Sequence, residues 1–277
     1  YYDVAGYAQY DLDTRWANLT LGGRYETHND VGGQFVPRVG VTRAWDHFHL
    51  KLLFDQAFRT PNVESIQQRL GGQSISYEKT TSYQLEAGYD FTRHLSTVAN
   101  LFYARVENPL AFTTIDNVHF GYINGGPVST WGGELELKYQ TEKWRLDLSY
   151  SYYRAEDRLD QSLGLYASNV EGLNLALPAH KVALSSTLHL TRELDWNVSG
   201  TFNSPVRAIA WPGTETTLSA TVDLNTYLEY HWGNFSAGVG VANLLNQSLQ
   251  VGQAYNGGAA PLPLLGRSYF ARLACRF

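Results

Sequence analysis

The sequence predicts an all-β chain, a transmembrane antiparallel up-and-down β-barrel of about 13 strands. Three observations predict it. Apolar and polar residues alternate with period two along most of the 277 residues. The alternating segments run longer than the five or six residues usual in soluble strands. The joints between them alternate between short and long, as periplasmic turns and extracellular loops do in outer-membrane barrels.

Taken in order, strands are expected at 2–12, 15–26, 34–44, 47–58, 76–91, 95–113, 118–140, 143–156, 178–190, 193–205, 217–232, 234–246 and 264–277. Near the start, Ala17, Leu19, Leu21 and Tyr25 alternate with Asn18, Thr20, Arg24 and Glu26. Trp144, Leu146, Leu148, Tyr150 and Tyr152 alternate with Arg145, Asp147, Ser149, Ser151 and Tyr153. Leu218, Ala220, Val222, Leu224 and Leu228 alternate with Ser219, Thr221, Asp223, Asn225 and Glu229. A strand sends such sets to opposite faces. Short joints are expected at Asp13-Thr14, Trp45-Asp46, Thr92-Arg93-His94, Thr141-Glu142, Thr191-Arg192 and Trp232-Gly233. Long ones are expected at 27–33, 59–75, 157–177, 206–216 and 247–263, with one tight turn near Asp116-Asn117. A soluble sandwich would also alternate, but it would keep its strands short and bury one face in a core about 10 Å thick.

Composition narrows the function classes. The chain is 44% hydrophobic, and no run of 18 apolar residues supplies a transmembrane helix. The 19 Tyr and 7 Trp suit a membrane interface, where rings with a polar tip collect. A net charge of −5 argues against a nucleic-acid partner. The single Cys275 excludes an intrachain disulfide and a Cys-based zinc site, and on the apolar face of the last strand it reads as a small filler. The eight His residues show no metal-ligand spacing beyond His47/His49, so neither a metal nor a cofactor is expected. No Gly-x-Ser-x-Gly, His-Glu-x-x-His or phosphate-binding loop occurs, and an enzyme is not expected; His189 or His231 near Ser185 is the one crude hydrolase pair.

The opening Tyr1-Tyr2-Asp3-Val4 already reads as a strand, which leads to the expectation of further residues upstream. Bacterial single-chain barrels have even strand numbers, and about 13 is odd. The first strand ends in a short turn, as an even-numbered strand does. Counting back from the last strand of a 22-strand barrel makes it the tenth. Residues 1–277 are therefore expected to be the C-terminal portion of an outer-membrane barrel domain, without its first strands and without a plug domain.

Several segments resemble the C-terminal barrel region of TonB-dependent outer-membrane receptors. Gln56-Ala57-Phe58-Arg59-Thr60-Pro61-Asn62 is similar to the family's Phe-Arg-x-Pro element. Tyr77-Glu78-Lys79 and Tyr83-Gln84-Leu85-Glu86-Ala87-Gly88-Tyr89 resemble its Pro-Glu…Glu-x-Gly strand, with Tyr77 where Pro is usual. Tyr122-Ile123-Asn124-Gly125-Gly126 and Gly132-Gly133-Glu134-Leu135-Glu136-Leu137 resemble its Asn-x-Gly and Gly-x-Glu-x-Glu segment. Ala179-His180-Lys181, Asn243-Leu244-Leu245-Asn246 and Gly266-Arg267 follow in family order.

The resemblance implies a barrel for energy-coupled uptake of a scarce nutrient, a ferric siderophore first, with cobalamin, haem or a sugar as other members' ligands. It implies a plug inside the barrel and an inner-membrane TonB energy-coupling complex acting on an upstream segment. A passive porin or diffusion channel is the alternative. The polar face, carrying Arg24, Glu26, Lys51, Asp55, Glu86, Asp90, Glu134, Glu136, Arg145, Asp147, Asp223 and Glu229, is expected to line the lumen. Ligand contacts are expected at the extracellular rim, from Arg59, Tyr77, His119, Tyr122, Tyr153, Arg154, Tyr166, Arg207, Trp211 and Tyr255. Arg suits carboxylate and catecholate oxygens, and rings suit flat or apolar ligand parts. The alternative for this set is an upper aromatic girdle in contact with outer-membrane lipid and lipopolysaccharide. Tyr269, Leu273 and the terminal Phe277 form the expected signal for the barrel-assembly machinery.

Overall fold

The structure is a computed structural model that describes residues 2–114, 118–156, 168, 170–210, 214–252 and 261–276. In chain order the strands are β1 (Asp3–Asp13), β2 (Asn18–His28), β3 (Gly32–Ala44), β4 (Phe48–Arg59), β5 (Glu78–Thr92), β6 (Leu95–Glu107), β7 (Leu110–Thr114), β8 (Phe120–Asn124), β9 (Val128–Gln140), β10 (Trp144–Ala155), β11 (His180–His189), β12 (Leu194–Asn203), β13 (Val206–Ala210), β14 (Thr214–Leu218), β15 (Thr221–Trp232), β16 (Phe235–Ala242), β17 (Gln250–Val251), β18 (Leu262–Pro263) and β19 (Ser268–Cys275). Thirteen of them form one antiparallel sheet in the order β1-β2-β3-β4-β5-β6-β9-β10-β11-β12-β15-β16-β19. These are the 13 strands expected. They run from 8 residues in β16 and β19 to 15 in β5, and most reach the roughly 9–11 residues a tilted strand needs to cross a bilayer.

The remaining six strands pair off as the hairpins β7–β8, β13–β14 and β17–β18. They correct the expected boundaries. The segment 95–113 is two strands, because Asn108 turns to φ 53° ahead of Pro109 and ends β6. The segment 118–140 is also two, parted at Gly125-Gly126-Pro127. The tight turn near Asp116-Asn117 lies outside the described residues. The joint 206–216 is largely hairpin, so β15 starts at Thr221, four residues later than expected. The segment 234–246 stops as a strand at Ala242, because Asn243 adopts φ 50°. The joint 59–75 holds the five-residue helix α1 (Val63–Gln67) and a 3-10 turn at Leu70–Gly72.

Contacts divide the chain into two compact units. Unit 1 comprises Tyr1–Ala87, Asn100–Gly133 and Tyr153–Asn174; unit 2 comprises Gly88–Ala99, Glu134–Tyr152 and Leu175–Phe277. Within unit 2, the rung Leu148–Leu184–Gly200–Leu224 and the rung Tyr150–Val182–Phe202–Val222 face one side. Leu228–Val239–Ala271 continues that apolar face to β19. The neighbouring rungs Asp147–Ser185–Ser199–Asn225 and Ser149–Ala183–Thr201–Asp223 face the other. Within unit 1, Gln9–Gly22–Arg38–Asp55 belongs to the polar face and Tyr10–Leu21–Val39–Phe54 to the apolar one. Glu86 joins the polar set, 3.7 Å from Lys51 and 3.3 Å from His49. Alternation in sequence therefore becomes two chemically distinct faces, because the register holds each residue beside its like.

Four of the short turns share a device. Thr14, Thr92, Thr141 and Thr191 each open a turn, and each hydroxyl accepts the backbone N–H two and three residues on, at 3.0–3.3 Å. Aromatic rings gather beside short turns, with or without such a cap: Trp45–Phe48 at 5.3 Å, Tyr89–Phe91 at 4.9 Å, Tyr139–Trp144 at 5.3 Å and Trp232–Phe235 at 6.0 Å. Arg15 lies over Trp16 and Arg43 over Trp45. An aromatic belt at one strand end is what a membrane–water boundary selects.

Leu184 and Ser185 are adjacent in β11 and face opposite sides. Arg at a lipid-facing midplane position costs roughly 2–4 kcal/mol, whereas a lumen position tolerates charge. In the full-length protein folded into lipid vesicles, Leu184→Arg should lower folding free energy by about that amount and Ser185→Arg by under about 1 kcal/mol. Equal losses would mean that the faces are assigned wrongly.

Candidate ligand-binding rim

The long-loop ends of the strands are fixed by polar side chains bonding backbone. In unit 1, Arg59 Nη2 reaches Glu78 Oε2 at 2.8 Å, and the same oxygen accepts the Leu110 N–H at 3.1 Å. Thr60 donates to Glu26 at 3.0 Å, and Glu26 also holds Arg24. Asn62 caps α1 by accepting the Ser65 N–H and hydroxyl at 2.7 Å. Asn124 accepts the Ser76 N–H at 2.7 Å and donates to the Ser76 carbonyl at 3.2 Å and the Asn108 carbonyl at 2.7 Å. These bonds place the residues after β4 against the β7–β8 hairpin.

In unit 2, Asn243 is 3% exposed and organises the turn after β16. Its amide donates to the carbonyls of Gln247 at 2.8 Å and Leu265 at 3.4 Å, and its oxygen accepts the Gln247 N–H at 2.9 Å. Asn246 accepts the Arg267 N–H at 3.2 Å, and Gln247 Oε1 accepts the Val222 N–H at 2.8 Å. His180 Nδ1 meets the Tyr150 hydroxyl at 2.8 Å, and the His180 backbone N–H donates to the Ser204 hydroxyl at 3.1 Å.

The expected contact residues fall in different places. In unit 1, Arg59 is exposed but paired with Glu78, and Arg154 pairs with Glu171 at 3.2 Å. Tyr77 is buried, stacks edge-on with Phe58 at 5.3 Å, and donates its hydroxyl to the Gly32 carbonyl at 2.5 Å. Burial pushes the Tyr77 phenol above its ordinary pKa. Tyr122 packs on Phe112, and its N–H donates to the Gln68 carbonyl. Tyr153 accepts the Asn174 N–H at 3.2 Å, and His119 is exposed just before β8. In unit 2, Arg207 bonds Glu215 at 2.7 Å and also Thr217. Tyr166, Trp211, Tyr255 and Phe277 lie outside the described residues. Tyr269 and Leu273 project from the apolar face of β19, 74% and 83% exposed.

Two clefts open near these residues. A cleft of about 560 Å³ in unit 1 is lined by Tyr7, Gln9, Arg24, Glu26, Arg38 and Thr60 among others. Arg38 has no ion pair among the described residues. A second, of about 540 Å³ in unit 2, sits where β12 and β15 leave the sheet, beside Asn203, Thr221, Gln247, Ser248 and Gln250. None of the residues named here from the second cleft was expected as a ligand contact, and neither was Arg38; Thr221 was read only as polar-face alternation. The alternation of β3 was the available signal for Arg38, and the Asn243 turn for Gln247. Away from the rim, His189 and His231 both bond Asp195, at 2.5 and 3.3 Å, and no hydrogen bond joins Ser185 to either ring among the described residues. Among those residues, too, no group of three or more His, Cys, Asp or Glu is placed to hold a metal.

Long antiparallel strands, one apolar and one polar face, capped short turns and elaborated loops define the wall of a transmembrane β-barrel. The family model described as TonB dependent receptor-like, beta-barrel matches residues 2–244, and the chain belongs to that family. No curated protein matches it in sequence. Among solved structures it is similar to the siderophore receptor PirA of Acinetobacter baumannii, with a TM-score of 0.78 at 16% identity, over 99% of this chain and 46% of that one. The FrpB iron transporter of Neisseria meningitidis gives 0.78 at 15%, over 99% and 45%. The ferripyoverdine receptor of the Pseudomonas aeruginosa outer membrane gives 0.78 at 14%, over 99% and 38%. Identities this low speak for the fold alone. The chain spans less than half the length of these structures.

Asn243→Ala removes three side-chain hydrogen bonds and puts a Cβ residue with no side-chain amide at positive φ, together about 3 kcal/mol of local stability. Hydrogen exchange at the Gln247 amide should accelerate strongly while β15 stays protected; unchanged exchange would count against the anchor. For Tyr77, a pKa raised on folding contributes stability below about pH 10 that is lost as pH climbs toward the folded value. Protease resistance of residues 60–77 in the full-length protein should fall over that range, and Tyr77→Phe should flatten the fall.

Proposed function

We propose that the chain is the C-terminal barrel portion of an outer-membrane receptor for energy-coupled uptake of a scarce nutrient, with a ferric siderophore as the first ligand class. The observation that carries the transport reading is the family match over residues 2–244, on a sheet whose polar face is continuous through each unit. In the family's mechanism a plug closes the lumen, the rim and plug bind ligand from outside, and the TonB complex draws on an upstream segment to open a path. None of this requires chemistry on the ligand, and we read the protein as a transporter and not an enzyme. Arg38, on the polar face without an ion-pair partner among the described residues, supports an anionic ligand at the unit 1 cleft. Its guanidinium matches carboxylate or catecholate oxygens.

The edge strands β1 and β19 each have one neighbour in the sheet. A free strand edge is untenable in hydrocarbon, so on this reading each edge is paired with a strand in the membrane. Outer-membrane lipid, lipopolysaccharide and the barrel-assembly machinery are the partners this reading adds.

Uptake of radiolabelled ferric siderophore by cells carrying the full-length protein should vanish when the energy-coupling protein is deleted or the proton-motive force is collapsed. Uptake that persists under both conditions would identify a passive pore instead. Arg38→Ala should weaken binding of the ferric complex by about tenfold or more, the loss of one charge-assisted contact.

A further inference from the structure

The unit 2 cleft has an unusual charge environment. From Trp232 to Gly266, 35 residues contain no Asp, Glu, Lys, Arg or His. From Trp196 to Val222 the only charged residues are Arg207 and Glu215, and they bond each other, with the Glu215 side chain 5% exposed. What lines the cleft is neutral. Asn203, Ser219, Thr221, Gln247, Ser248 and Gln250 supply hydroxyls and amides, and Val206, Leu218 and Val251 contribute apolar surface.

Little of this hydrogen-bonding capacity is used by the fold. Gln247 accepts the Val222 N–H through Oε1, which leaves its amide N–H₂ for another partner, and Asn203 reaches Thr221 only at 3.5 Å. Ser219, Ser248 and Gln250 make no side-chain hydrogen bond among the described residues, and all three are exposed. The backbone beneath them is fixed. Asn243 pins residue 247, and the Leu264 N–H donates to the Leu249 carbonyl at 2.9 Å. Asn203 and Thr221 form the last rung of β12 and β15 on the polar face.

We infer that this cleft binds an uncharged, hydrogen-bonding part of the transported ligand, a polyol or amide scaffold, and does not bind an anionic chelating group. The inference rests on the receptor reading and names the ligand chemistry of one part of its rim. Side-chain amides and hydroxyls offer donors and acceptors together, which neighbouring sugar hydroxyls and peptide groups both need. None of the residues lining the cleft is cationic, so an anion placed among them finds no counter-charge in the lining to offset its lost hydration. The volume of about 540 Å³ falls within the usual range for small-ligand sites.

The test uses the full-length receptor in detergent and saturation-transfer NMR with three probes: maltotriose as the polyol, N-acetylglycylglycinamide as the amide, and gallium citrate as the anionic chelate. One of the two neutral probes should bind, and which one distinguishes sugar from peptide scaffold. Ser248→Ala with Gln250→Ala should weaken that binding about tenfold, the loss of two neutral hydrogen bonds. Ser219→Trp, which fills an exposed position, should abolish it while leaving gallium citrate binding unchanged. Binding of gallium citrate that depends on Ser248 and Gln250 overturns the inference, and so does the failure of both neutral probes. Energised uptake is read separately: if it persists while the neutral probes fail, the receptor reading stands and only the ligand chemistry of this cleft falls.

Discussion

The inter-strand hydrogen-bond ladder is the constraint on which the rest depends. In hydrocarbon there is no water to satisfy a backbone N–H or C=O, so each strand must find its partners in its neighbours. That requirement fixes register, and register fixes chemistry. A slip of β12 by one residue against β11 would turn Val198 and Phe202 to the polar side and Ser199 and Thr201 to lipid. The two-faced sheet is thus a consequence of pairing, and the Thr-capped turns serve it by setting where each pairing begins.

At the long-loop end the ladder stops and side chains take over. Asn124 and Asn243 do there what neighbouring strands do lower down: each satisfies backbone groups on a separate segment. A single amide carries both an acceptor and two donors, which makes Asn suited to joining two chain segments at once. The hairpins β7–β8 and β13–β14 keep most of the rim backbone paired even where it leaves the main sheet. The loops are therefore built platforms, and ligand-contacting side chains on them inherit defined positions.

The sheet was legible because a period-two signal repeats over ten or more residues and leaves little freedom. Thr14, Thr92, Thr141 and Thr191 were legible as joints because each stands between two alternating runs. The rim was not, for a physical reason. Whether Arg207 is free or held depends on Glu215, and only the β13–β14 pairing brings them together. Tyr77 reads as an exposed loop ring in sequence, but the turn of the chain after α1 buries it against Phe58 and Gly32. Local pattern carries no information about such contacts, and α1 itself is too short to show a helical period.

Charge at the rim is graded by how tightly each arginine is held. In the Arg154–Glu171 pair both side chains are open, 48% and 81% exposed, whereas Arg59 is 61% exposed and its partner Glu78 only 18%. A pair exposed on both sides, as Arg154–Glu171 is, contributes about 0–1 kcal/mol, so an arriving anion displaces its carboxylate at small cost. Arg207 is different: its side chain is 22% exposed, Glu215 is 5% exposed, and Thr217 adds a further bond. Releasing it would leave a buried carboxylate unpaired, a penalty of several kcal/mol that a weak anionic contact does not offset. Arg154, which can change partners, lies in unit 1 along with unpaired Arg38, whereas Arg207 in unit 2 is locked into its own hairpin. Within each unit, exposure of the ion-pair partner, more than the presence of an arginine, therefore decides which parts of the rim can meet an anion.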